Sequence, residues 1–195
     1  MTIRKAETPV SMEGQILDAA RSCVLEFGVR RTTLAEIARR AGVSRPTVYR
    51  RWPDIRAVVA DLMTREIAAA VPAMDSTRPA RAQLVDAACD VAHQISTHPM
   101  FVTILKFDQD LFGTYVFDRL GTSQKAGIAI VEATILVGQT EGSVRQGNAR
   151  HIATMMLLIV QSVVQSARMV RPEIEGDDML AELRHAIDSY LAPVR

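Results

Sequence analysis

Ser44 to Arg51 (SRPTVYRR) holds the densest set of groups able to do chemistry on another molecule. Arg45 can grip the two acceptors of a guanine edge with its planar guanidinium, and the methyl group of Thr47 can touch a thymine methyl. Arg50 and Arg51 can reach bases or phosphates. Ser44 sits where it would cap a short helix, whose free N–H groups and positive dipole end suit a phosphate. An isolated arginine is more often a solvated surface charge. Clustering on one short helix turns the balance toward contacts with double-stranded DNA.

Catalytic chemistry has no comparable footing. The sequence holds no Gly-rich phosphate loop, no HExxH, no GxSxG elbow and no Cys–His metal spacing, so no enzyme activity is expected. His93, His98, His151 and His185 form no motif. Asp86, Asp90 and His93 fall at i, i+4 and i+7 of one helix, with His98 nearby. A solvated polar face accounts for them better than a metal site, and neither metal nor cofactor is expected.

The elements that must position Ser44–Arg51 are readable from caps and periodicity. A first helix, Glu13 to Phe27, carries Ile16, Leu17, Ala20, Val24 and Phe27 at helical spacing and ends at Gly28, where a left-handed residue belongs. Thr33-Leu-Ala-Glu36 fits a capping box opening a second helix with Leu34, Ile37, Ala38 and Ala41 inward. Gly42 ends it and Val43 plugs the gap. Ser44 caps the third helix, Arg45 to Arg51, in which Pro46 is tolerated. Val48 and Trp52 point back to a small core, Trp52 by packing rather than by stacking on a base. Pro53-Asp54 starts a fourth helix that runs to Ala70. A helix, a turn and a second, basic helix form the grammar of a helix-turn-helix, whose second element enters the major groove.

Charge divides the chain at the same place. Residues 1–56 hold 11 basic and 6 acidic residues, net +5; residues 57–195 hold 12 and 16, net −4. A DNA-binding head on a non-binding trunk has this asymmetry. Met1 to Val10 has no apolar run of a signal peptide. The longest uncharged stretch, Ile152 to Ala167, is short for a bilayer and broken by polar residues, so no membrane association is expected. Cys23 and Cys89 read as core thiols in a reducing cytoplasm.

Thr33-Leu-Ala-Glu-Ile-Ala, Ala41-Gly-Val-Ser and Thr47-Val-Tyr-Arg-Arg-Trp-Pro-Asp together resemble the N-terminal signature of the TetR family of transcriptional regulators, over about residues 13–62. The resemblance implies an all-α protein: a three-helix DNA-binding domain joined to a larger helical domain for ligand binding and dimerisation. It implies a homodimeric repressor that a small effector releases from a pseudo-palindromic operator. It makes the Tyr49 phenol a phosphate contact. Thr33, at the head of the second helix, would meet the backbone across the groove. The family's usual lysine at the second position of helix four is Ile55 here. Arg56 stands next to it, about a quarter turn away, so its taking over that contact is an open expectation.

The expected organisation is an N-terminal arm over 1–12, with Arg4 and Lys5 available to a minor groove; the DNA-binding domain over 13–56; a connecting helix over 54–70; and an effector and dimerisation domain over 71–195. In the last, helices are expected over Ala80–Thr97, from Pro99 through Lys106, over Gln124–Thr140, Asn148–Val170 and Asp177–Leu191, with an aromatic, less regular stretch from Phe107 to Ser123. Met100, Phe101, Ile104, Phe107, Phe112, Tyr115, Phe117, Met155 and Met156 are expected to line a pocket for a lipophilic or aromatic effector. The last two helices are expected to pair with a second copy through Leu158, Ser162, Gln165, Leu180, Leu183, Ile187 and Tyr190. The alternatives are a purely intramolecular core and control by a protein partner or by no ligand.

Overall fold

The computed structural model describes residues 11–70, 75, 77–107 and 122–193. The helices are α1 (Met12–Phe27), α2 (Leu34–Arg40), α3 (Arg45–Arg51), α4 (Ile55–Ala70), α5 (Ala80–Thr97), α6 (Pro99–Phe107), α7 (Thr122–Glu141), α8 (Ala149–Ser166) and α9 (Gly176–Leu191), with one 3₁₀ turn at Val29–Arg31. No strand occurs among the described residues.

Side-chain caps set most of the starts. Ser11 Oγ accepts from Gly14 N at 3.0 Å, Asp54 Oδ1 from Ala57 N at 2.9 Å and Asn148 Oδ1 from His151 N at 3.0 Å. Only half of the expected capping box forms. Thr33 Oγ1 accepts from Glu36 N at 3.2 Å, but the Glu36 carboxylate turns to the Arg39 guanidinium, at 2.6 and 2.9 Å. A charged two-point partner outcompetes a single backbone amide. Gly28 has the expected positive φ, 75°, but its ψ of 164° leaves the left-handed helical region. It still closes α1 through a 2.9 Å bond from its N–H to Val24 O. α8 stops at Ser166, short of the expected Val170. Pro172 disfavours a helical Arg171, and the chain leaves through turns in which Met169 and Val170 N–H both return to Ser166 O.

Two cores follow. The first gathers α1 (Ile16, Leu17, Ala20, Cys23, Val24), α2 (Leu34, Ile37, Ala38), Val48 and Trp52, and α4 (Val58, Val59, Leu62, Met63). It also takes Met100, Phe101 and Ile104 from α6, so the head is closed by a helix that comes after α5 in the chain. The second core joins α5, α7, α8 and α9. Ile95 packs against both. Polar ties fasten the far end. Arg81 bonds Asp188 at 2.5 and 2.8 Å, and Arg145 donates to Tyr190 O at 2.8 Å with its guanidinium 4.5 Å above the Tyr190 ring. At Gly138 a side chain has no room: an added Cβ would lie 2.4 Å from Val144 Cγ2.

Candidate functional site

α3 is anchored from behind by two side chains. Val48 is fully buried, and Trp52 is 2% exposed with its Nε1 donating to Asp61 Oδ2 at 2.7 Å. Helical spacing then turns Arg45, Pro46, Tyr49 and Arg50 outward, and Tyr49 is 52% exposed. At the head of the helix Ser44 Oγ accepts from Thr47 N at 3.3 Å and shares a 2.7 Å hydrogen bond with Thr47 Oγ1. Thr47 is half-buried, and Thr33 is exposed at the start of α2.

Ion pairing sorts the arginines. Arg51 is held back: it meets Glu13 of α1 at 2.7 Å and lies 5.5 Å over the Trp52 ring. Arg40 is tied to Glu26 at 2.7 Å and lies over the Phe27 ring. Arg39 is tied to Glu36, whose carboxyl the Arg39 hydrogen bond holds below its ordinary range. Arg45, Arg50 and Arg56 are exposed and make no ion pair among the described residues. On α3 and α4 these three are available to phosphates and base edges, and Arg31 of the 3₁₀ turn is likewise exposed without an ion pair among the described residues. Glu13 and Glu26, in the first helix, are the partners that sequence spacing did not connect to Arg51 and Arg40.

The body holds a cavity of about 190 Å³ between α4, α5, α6, α7 and α8. Of the expected lining, Phe101 and Met156 are on its wall. Met100 and Ile104 are fully buried in the first core, and Met155 is 43% exposed on the outside of α8. Phe112, Tyr115 and Phe117, with the Phe107 side chain, lie outside the described residues. Sequence spacing did not connect Met63 and Ile67 of α4, Ile128 and Val131 of α7, or Val160 of α8 to this cavity, and all of them line it.

The expected pairing residues divide as well. Leu158 and Ser162 are exposed, whereas Gln165 faces the cavity. Leu180 and Tyr190 are half-buried against the second core. Leu183 and Ile187 are buried within that core, at 2% and 0% exposure, so they are spent inside one chain and not offered to a second. Five exposed apolar residues of the body lie instead on α7, at Ile130, Leu136 and Val137, and on its neighbour α8, at Met155 and Leu158; Val102 and Met169 are exposed elsewhere in it.

The polar face of α5 is a structural tie. Asp86 takes Arg78 at 2.5 Å and Arg184 of α9 at 2.7 Å, and these bonds hold its carboxyl below the ordinary aspartate range. No group of three metal-ligating side chains occurs among the described residues, and no helix there is long and apolar enough to cross a membrane.

Comparison with known proteins agrees with this geometry. Residues 16–62 match the model of the bacterial regulatory proteins of the tetR family. An uncharacterized HTH-type transcriptional regulator of Mycobacterium bovis is 46% identical over 178 residues, covering 91% of this chain and 93% of the relative. Among solved structures, a TetR-family regulator from Rhodococcus sp. superposes with a TM-score of 0.69 at 20% identity, covering 93% of this chain and 98% of the other. FadR from Bacillus subtilis, solved with stearoyl-CoA, gives 0.63 at 16% identity, covering 93% and 98%. The chain therefore belongs to the TetR family and is a helix-turn-helix, DNA-binding transcriptional regulator, not an enzyme.

Proposed function

We propose that this regulator is a cytoplasmic homodimeric repressor that a small lipophilic effector releases from a pseudo-palindromic operator. The observation that carries the reading is shared walls: Met63 and Phe101 belong both to the core that holds the head together and to the lining of the body cavity. At about 190 Å³ the cavity is below the roughly 300–1,000 Å³ of common ligand pockets. A ligand entering it displaces its walls, and two of those wall residues belong to the core that holds the head.

A polar chain follows the same route. The Phe101 ring meets His98 edge-on at 5.6 Å, and His98 Nε2 is 3.4 Å from Glu66 Oε2. Glu66 takes Arg65 at 3.0 Å, and Arg65 reaches Asp18 of α1 at 2.8 Å. A shift of α6 therefore pulls on α4 and α1, which carry α3. A coupling of about 1–3 kcal/mol between cavity and head gives a 5–150-fold change in DNA affinity.

Arg45 and Thr47 read base edges in this account, and Ser44, Tyr49, Arg50, Arg56 and Thr33 hold the backbone. Arg51 serves mainly to fix α3 to α1. The second copy packs on the exposed apolar residues of α7 and α8, placing two α3 helices about 34–36 Å apart, one turn of the duplex. The stearoyl-CoA bound by FadR supports a lipophilic effector for this fold. The test is a screen for compounds that displace the protein from DNA selected out of a random pool. Release by lipophilic compounds, lost when Val160→Trp fills the cavity, is expected; release that survives Val160→Trp contradicts it. A second reading, control by a protein partner, gains from the same exposed apolar residues if the chain is monomeric.

A further inference from the structure

Among the described residues the cavity wall is apolar except at one place. Gln124 from the first turn of α7, and Gln161 and Gln165 one turn apart on α8, bring three carboxamides to it. Gln124 is 9% exposed, and its Nε2 donates to Gln161 Oε1 at 3.3 Å. The remaining described wall, from Met63 and Ile67 through Leu84 and Val91 to Val131 and Val160, is hydrocarbon or thioether. A carboxamide offers a donor and an acceptor but no charge. An ionised ligand would meet no counter-charge among the described wall residues, and an unpaired charge in apolar surroundings is strongly disfavoured.

With this site read as the effector cavity of the regulator, we propose that it selects neutral lipophiles bearing one hydrogen-bonding oxygen function, a ketone, ester or alcohol. The oxygen seats at the Gln124–Gln161 pair, and the hydrocarbon lies along α4, α5 and α7. Gln161, half-buried between cavity and partner, sets the preference for an uncharged head group. Acids and amines of the same chain length are rejected because each keeps its charge only by staying in water.

The test is calorimetric titration of the full chain, without DNA, with 2-decanone, decanoate and decylamine at neutral pH. The ketone is expected to bind at least about tenfold more tightly than either ion. Gln161→Leu is expected to weaken 2-decanone by about tenfold with helix content and melting unchanged, and Gln161→Glu to turn the preference toward decylamine. Equal or tighter binding of either ion, no binding by 2-decanone, or full 2-decanone affinity in a folded Gln161→Leu protein overturns the proposal. If neither variant folds, the wild-type order of the three probes decides it. Repeating the titrations with operator present separates the two claims. Selective 2-decanone binding that leaves DNA bound contradicts effector release but not this selectivity. Release by decanoate supports effector control and overturns the selectivity.

Discussion

The head and the body solve the same packing problem in opposite ways. In the head nearly every polar position is committed internally. Ser11, Thr33, Ser44 and Asp54 cap helices, and Glu13, Glu26 and Glu36 neutralise Arg51, Arg40 and Arg39. Among the described residues, the outer face of α3, the start of α4 and Arg31 are left over. The body leaves apolar surface unspent on both sides, as a cavity within and as Ile130, Leu136, Val137, Met155 and Leu158 without. A surface for a fixed polyanion can be rigid and fully assigned. A region that must take up a ligand and a second copy has to keep hydrophobic area in reserve.

The largest expected effect breaks the body and is read at the head. Val137→Arg combined with Leu158→Arg is expected to give a monomer in sedimentation at micromolar concentration. Operator affinity should fall about 10²–10⁴-fold as the second head loses its effective concentration. A dimer that survives both charges moves the interface elsewhere. The converse break is Trp52→Ala, which empties the centre of the head core and orphans Asp61. A loss of about 3–5 kcal/mol in denaturant unfolding is expected. Because α4 and α6 share that core, the body should lose stability with it; a separate, unchanged second transition would show the two regions to be independent.

Two smaller changes sharpen the contrast between free and committed charges. Arg45→Ala is expected to cost about 1–3 kcal/mol on the operator and to relax preference at one base position. Arg51→Ala should lose less sequence preference, because Glu13 already occupies its guanidinium. Affinities measured on single-base variants of the operator check both. Asp86→Asn cuts the clamp between Arg78 and Arg184. These side chains are partly exposed, so about 0.2–1 kcal/mol is expected. The Asp86 carboxyl is held below its ordinary range, so its contribution is complete above the unfolded aspartate value of about 3.9 and disappears as pH falls through the lower folded value. Wild type and Asp86→Asn should converge in stability in strong acid; a constant gap would point to packing.

Most of the head was legible in the sequence because its signals are local. Gly28, Thr33, Ser44 and Asp54 act on backbone groups within four residues, and Val48 and Trp52 stand one turn apart. What was missed there is one local competition, the choice of Glu36 between Thr33 N and Arg39, and the tertiary contacts: Glu13 with Arg51, Glu26 with Arg40, and the recruitment of α6 into the first core. In the body, periodicity showed that residues are buried but not against what. Met100 and Met156 have the same helical signal, yet one fills the head core and the other walls the cavity. Leu183 and Ile187 read as a seam because an amphipathic stripe looks alike whether its own chain or another covers it. α8 is apolar nearly all round, so only the folded arrangement of α7 beside it indicates which face remains open.

The central claim is that two copies of α3, joined through the bodies, read neighbouring turns of one duplex. Selection of bound fragments from a random DNA pool by the full-length protein addresses it most directly. The account expects enrichment of an inverted repeat whose half-sites are centred about one helical turn, or 10–10.5 base pairs, apart or at a multiple of it. Recovery of a single unrepeated half-site, or no enrichment at all, would contradict it.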